Sequence, residues 1–164
     1  MIREPRYRSS EAAAILGVSR DNLRYLEERI SSNEPSSGWR NRSLFDLFRL
    51  RLAMELSHYG VEAASAVRLA HATPIGYGEN TFHALPDDGA SVVSSLEGEL
   101  ETELFGQTLI AHRNDDVWHA LNYWSDDEHP LDYYIVGSAA VIRLWPLGQQ
   151  LMRRLRQHAL GEQS

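Results

Sequence analysis

At 164 residues, with 43% hydrophobic and 24% charged side chains, the chain can bury a real core and is not disordered wholesale. No apolar run approaches the roughly 18 residues of a membrane helix. The start MIREPRYRSSE lacks the apolar stretch of a signal peptide, and the absence of cysteine excludes disulfides, thiolate metal sites and thiol nucleophiles. The expectation is a cytoplasmic protein with no membrane partner, built as one large domain or two small ones.

The net charge of −7 is unevenly spread. Residues 1–72 hold 11 Arg against 9 acidic residues, a net of +2, while residues 73–164 hold 5 Arg against 14 acidic residues, a net of −9. A mildly basic front and a strongly acidic back point to two functional parts. Lysine is absent, a bias that GC-rich coding favours, so every long cationic side chain is a planar guanidinium able to bind a carboxylate or phosphate through two hydrogen bonds.

In chain order, Ser10 can cap a first helix from Glu11 to Leu16, with Ala12, Ile15 and Leu16 facing inward. Gly17 stands where a helix commonly ends in a left-handed residue. Ser19 caps a second helix from Arg20 to about Arg29, anchored by Leu23 and Leu26. The segment SSNEPSSGWRNR reads as a loop or short hairpin. Ser43 and Asp46 have the spacing of a capping box at the head of a third helix that runs to His58 or Tyr59. Leu47, Leu50 and Met54 form one stripe of that helix, and Phe45, Phe48, Leu52 and Leu56 another. It should therefore pack on two sides, against the preceding helices and against the acidic part or a second subunit. Gly60 breaks it, and Val61–His71 forms a fourth helix.

From Thr73 the pattern changes. Pro74, Gly76 and Gly78 read as a linker over residues 73–78, leaving a domain of residues 1–72 and an acidic one of residues 79–164. The second carries strand-like runs at Asn80–Leu85, Thr108–Arg113, Val117–Trp124, Leu131–Val136 and Ala139–Trp145. A helix is expected from about Ala90 to Phe105, on Val93, Leu96, Leu100 and Leu104. A last helix is expected from Pro146, with Leu147, Leu151 and Leu155 as its stripe and Arg153, Arg154 and Arg156 near its negative end. The fold class is a mainly α front followed by a small α+β back.

A short helix, a glycine turn and a second helix opening on Arg20, Asn22 and Arg24 is the layout of a helix-turn-helix. With it come Tyr7, Ala-Ala-Ile-Leu-Gly-Val-Ser at 13–19, Leu23-Arg24-Tyr25, Gly38-Trp39-Arg40, Asp46-Leu47 in the third helix and Tyr59-Gly60-Val61. In that order these pieces resemble the MerR-type winged helix-turn-helix family of bacterial regulators, over roughly residues 7–70. The resemblance implies that the second helix reads a DNA major groove, with Arg24 and Tyr25 in contact, and that Arg40 lies on a wing reaching the backbone or minor groove. Three features depart from the family: Leu26 stands where it has a second Tyr, Ile30-Ser31-Ser32 stands where an apolar segment follows the second helix, and Thr73-Pro74 replaces its long dimerisation helix. Its DNA-twisting mechanism does not carry over, and its cysteine-based metal sensing is excluded.

The expected DNA-binding set is Ser19, Arg20, Asn22, Arg24, Tyr25, Arg40 and Arg42, since Arg and Asn match guanine and adenine edges and loop arginines match phosphates. Arg49 and Arg51 could be phosphate contacts or solvated surface. His112 and His119 lie on neighbouring strand candidates and could converge, but no carboxylate sits at a ligand spacing, so no metal or cofactor is expected. Asp115-Asp116 and Asp126-Asp127-Glu128 read as acidic turns. With no phosphate loop, nucleophile elbow or zincin motif, no catalytic residue and no enzyme activity are expected. Trp118, Tyr123, Trp124, Tyr133, Tyr134 and Trp145 could be core, dimer interface or effector pocket.

The expected function is sequence-specific transcriptional regulation in a bacterium or phage. The partners would be double-stranded DNA, a second copy bound through the C-terminal domain, and a small-molecule effector or protein. The alternatives are an architectural DNA-binding factor in phage recombination or packaging, and a protein-interaction module that no longer binds DNA.

Overall fold

A computed structural model describes residues 6–30, 42–73, 100–101, 104–123 and 139–161. Four helices come first: α1 (Ser9–Leu16), α2 (Arg20–Ile30), α3 (Leu44–His58) and α4 (Ala63–Ala72). A sheet of β1 (Thr108–Asn114), β2 (Val117–Tyr123) and β3 (Ala139–Arg143) follows, and α5 (Leu144–Ala159) closes the described chain. The chain is helix-rich, with one small antiparallel sheet, as its sequence pattern predicts. Among the described residues no helix is long and apolar enough to cross a membrane.

The helix ends follow local chemistry. Gly17 and Gly60 both adopt a left-handed backbone, at φ 68° and 88°. After Gly17, the Val18 amide donates to the Ala13 carbonyl at 3.0 Å and the Gly17 amide to Ala14 at 3.1 Å. After α3, Val61 donates to Leu56 and Gly60 to Ser57, both at 3.1 Å. These are two copies of one stop motif, which satisfies orphan carbonyls and turns the chain sharply. The Ser43–Asp46 capping box is formed in both directions, at 2.8 and 3.0 Å. Two helix starts differ from the sequence expectation. The first helix begins at Ser9, because the Glu11 carboxylate accepts the Arg8 amide at 2.7 Å and draws the cap forward by two residues. The last begins at Leu144, two residues before Pro146. Proline is tolerated there because amides in the first helical turn have no intrahelical partner to lose.

The sheet order is β2-β1-β3, with Leu109 opposite Asn122 and Ile142, and Ala111 opposite Ala120 and Ala140. Asp115 and Asp116 link β1 to β2 in a two-residue turn with both φ values positive, 46° and 62°, the backbone that matches strand twist in tight hairpins. Strand β3 alternates, burying Ala140 and Ile142 and exposing Ala139, Val141 and Arg143. Of the remaining expected elements, strands at 80–85 and 131–136, most of the helix at 90–105 and the linker at 74–78 lie outside the described residues. Leu100 and Leu104 are helical and fully buried.

The front helices and the sheet share one continuous core. It runs from Ala12, Leu23, Phe48 and Leu56 through Leu109, Trp118 and Ile142 to Leu147, Leu151 and Leu155. Helix α3 packs on two sides, as its two stripes require, meeting α1 and α4 on the one hand and α5 on the other. Helix α5 also lies against α1. Trp118 is buried and Trp145 packs against the core, so these two members of the aromatic set are core residues. Trp124, Tyr133 and Tyr134 lie outside the described residues.

Leu23, Leu47 and Leu50 are at most 3% exposed. Each truncation to Ala should cost about 2–5 kcal/mol, seen as a lower denaturant midpoint with an unchanged slope. The His71 pKa is held below 6.5 by burial of part of its ring and by the Arg49 guanidinium, against an opposing pull from Asp46. The unfolded chain therefore takes up this proton first. Stability owed to a neutral His71 is complete above pH 6.5 and falls as pH drops through and below it. The His71→Gln variant should lose less melting temperature than the wild type between pH 8 and pH 5.

Candidate nucleic-acid interface

The exposed face of α2 is built by the turn that precedes it. Gly17 stops α1, Val18 tucks partly into the core, and Ser19 begins the next helix by accepting the Asn22 amide on its hydroxyl at 3.1 Å. Leu23 and Leu26, three apart, anchor α2 to the core at 1% and 8% exposure. That anchoring fixes the rotation of the helix and leaves Arg20, Asp21, Asn22, Arg24, Tyr25 and Glu28 in solvent. Arg20, Asn22, Arg24 and Tyr25, four members of the expected set, are thus all exposed, Arg24 and Tyr25 outward and Arg20 and Asn22 on the two flanks of the helix, with Ser19 exposed at its head.

The surface is not simply basic. The Arg24 guanidinium pairs with Glu28 one turn on, at 2.7 Å, with both side chains mostly in solvent. Such an exposed i,i+4 pair is worth a few tenths of a kcal/mol and yields readily to a stronger anion. The Arg29 guanidinium stacks over the Tyr25 ring at 3.5 Å from its centroid and donates to the Tyr25 carbonyl at 3.4 Å. This fixes the Tyr25 ring at the helix surface, half exposed. Chemically the face offers guanidinium and amide donors to phosphate oxygens or base edges, with Asp21 and Glu28 opposing an approaching polyanion.

Arg42 does not belong to this surface. It is 5% exposed, and its guanidinium is paired with Glu27 of α2 and donates to Ser9 Oγ at 3.2 Å. Its backbone exchanges both hydrogen bonds with Tyr7 at 2.9 Å. The expectation of a phosphate contact at Arg42 is corrected: the residue ties the N-terminal segment, α2 and the head of α3 together from inside. A basic residue in a polar loop next to a capping serine carries no local sign that it points inward. Arg40 lies outside the described residues.

The α3 arginines are also engaged within the fold. Arg51 pairs with Glu55 at 3.0 Å and donates to Gln150 of α5 at 3.2 Å, and Arg49 is half-buried beside His71. Two further arginines bind backbone carbonyls that the sequence did not point to. Arg154 donates to Leu16 at the end of α1 at 2.5 Å, and Arg68 of α4 donates to Trp118 of β2 at 2.6 Å. His112 and His119 do converge, as a directly paired cross-strand couple whose rings stack at 5.5 Å. Among the described residues, no third His, Cys, Asp or Glu joins them.

Comparison with protein-family models and with curated proteins finds no match to this chain.

The two kinds of arginine separate by experiment. Arg42→Ala strands the Glu27 carboxylate, which keeps about 24% of its surface in solvent. It should cost roughly 2–3 kcal/mol, somewhat under the 3–5 kcal/mol of a fully buried pair. Arg24→Ala should change stability by less than about 0.5 kcal/mol. Urea titration of both variants reads the difference.

Proposed function

We propose that the chain is a sequence-specific DNA-binding transcriptional regulator of bacterial or phage type, in which α1, its glycine turn and α2 act as a winged helix-turn-helix. The observation that carries this reading is the α2 surface. Two leucines fix the helix on the core while Arg20, Asn22, Arg24 and Tyr25 all lie in solvent, directly after a capped three-residue turn. In a helix-turn-helix, the N-terminal residues of the second helix are those that meet base edges. The order of motifs resembling the MerR-type family over residues 7–70 supports the same assignment, and the resemblance implies a wing contact for Arg40.

The regulator would bind as a homodimer, because one short helix reads too few base pairs to define a genomic site and two-fold pairing doubles them. The acidic half is the natural partner surface, since its charge of −9 repels DNA. It also leaves Val117 and Val141 about half exposed, at 49% and 53%, on the face of the sheet that carries His112 and His119. The presence of Asp21 and Glu28 on the α2 face favours a second reading, a protein-interaction module with the same architecture.

Selection of bound duplexes from a random library, repeated at several salt concentrations, tests the proposal. It predicts a recurrent motif with half-sites about one helical turn apart and a 2:1 protein-to-duplex complex on that motif. Arg24→Ala should either lower the salt slope by about 1, as a phosphate contact, or cost about 1–3 kcal/mol at a single base pair, as a base contact. No enrichment at low salt, or identical isotherms for the wild type and Arg24→Ala, overturns the DNA reading in favour of the interaction module.

A further inference from the structure

A cleft of about 380 Å³ lies where α4 of the front half meets β2 of the sheet. Its polar lining is Arg68, His112, His119 and Asn114, and its apolar walls include Leu69 and Leu121. The volume is at the lower end of small-molecule sites, and a largely apolar wall with a few convergent polar groups is their usual make-up. We propose that this cleft binds a small organic anion, a carboxylate on an apolar, ring-sized body, with Arg68 holding the carboxylate and the stacked pair His112–His119 packing on the body and donating to the carboxylate. The proposal stands whether or not α2 meets DNA.

The charge of the lining selects the ligand class. A guanidinium cannot lose its proton in a protein, and no carboxylate lines the cleft among the described residues, so its permanent charge is positive. That disfavours a metal cation, although two imidazoles stand 5.5 Å apart, and favours an anion. Arg68 is already oriented, because one of its N–H groups donates to the Trp118 carbonyl at 2.6 Å. A guanidinium has five such donors, and those left can serve a ligand with little further loss of side-chain freedom. The two imidazoles are fixed by register, His112 of β1 directly opposite His119 of β2 with planes 24° apart. Stacked on one another, they leave only an outer ring face for a planar body, and N–H edges that suit an oxygen. Asn114, two residues along β1 on the same face, adds an amide donor at the rim.

The test uses full-length protein, with sodium benzoate as the probe, benzamide as its neutral isostere, inorganic phosphate as the anion without an apolar body, and zinc chloride as the cation. Binding is read by titration calorimetry and by the histidine ring signals in NMR. Benzoate should bind saturably at one site and move the signals of His112 and His119 ahead of the other five histidines. Benzamide and phosphate should each bind about tenfold more weakly or worse, the loss of one charge-assisted contact or of the apolar burial. Arg68→Gln should weaken benzoate by about the same factor. If its contact with Trp118 makes that variant unstable, His119→Gln, whose side chain is already exposed, should still weaken benzoate severalfold with an unchanged melting temperature. The assignment is overturned if benzoate does not bind, if benzamide binds as well, if both variants bind benzoate like the wild type, or if zinc alone moves the two histidine signals.

Discussion

Everything in this molecule hangs on the seating of its last helix against its first. Helix α5 sends Leu144, Leu147, Leu151 and Leu155 into the core, and on the flank of that stripe Arg154 reaches the Leu16 carbonyl. That carbonyl lies at the end of α1, where unpaired peptide oxygens concentrate the negative end of the helix dipole. A guanidinium placed there satisfies an acceptor and is held by the field around it. Gly17 makes the contact possible in two ways. Its left-handed backbone ends α1, and a Cβ at that position would collide with the Arg154 guanidinium. One residue thus stops the helix, shapes the turn into α2 and leaves the space through which the C-terminal helix grips that turn.

This grip makes the charge-split chain a single packed body in its described residues. The acidic half is not an appendage on a free-standing front: α5 covers α1 and α3, Arg51 reaches Gln150, and Arg68 reaches the edge strand. Arginine does most of the joining. Arg42, Arg51, Arg68 and Arg154 all bind acceptors supplied by other elements, and Arg20 and Arg24 are left at the α2 surface. A net of +2 over residues 1–72 is therefore an incomplete guide to what an approaching polyanion meets, because Arg42 and Arg51 are turned inward onto carboxylates.

The division between what sequence reading reaches and what it misses follows contact range. Gly17, Ser19, the Ser43–Asp46 pair and Gly60 act on atoms within five residues, and their motifs place α1 to α4 to within two residues. The three described strands follow from strand-like runs and the Asp115-Asp116 turn, although β3 stops at Arg143, two residues short of the expected Trp145, because the last helix begins at Leu144. The arginines defeat the reading because their partners are far off: Leu16 is 138 residues from Arg154, and Gln150 is 99 from Arg51. An arginine in a polar stretch has the same local pattern whether it faces water or a distant carbonyl. Arg42 shows the cost, since its neighbours suggest a phosphate contact while its partner Glu27 sits 15 residues earlier in the chain. The convergence of His112 with His119 is legible because only a tight hairpin separates them. The arrival of Arg68 opposite them is not.

Helix α4 is the element that both surfaces share. It packs against α2 on one side, and on the other it supplies Arg68 and Leu69 to the cleft at β2. Occupation of that cleft can influence α2 through α4 to the extent that a ligand prefers one placement of α4 over another. A core packed continuously from α1 to α5 resists gradual deformation, so any such coupling has to take the form of two discrete packings of α4 between the sheet and α2. The Arg68–Trp118 hydrogen bond is the joint at which those packings would differ, because it ties α4 to β2 and the proposed anion site uses the same guanidinium. A ligand that engages the free donors of Arg68 while leaving this bond intact braces α4 where it stands, whereas one that draws the guanidinium away from the carbonyl releases it.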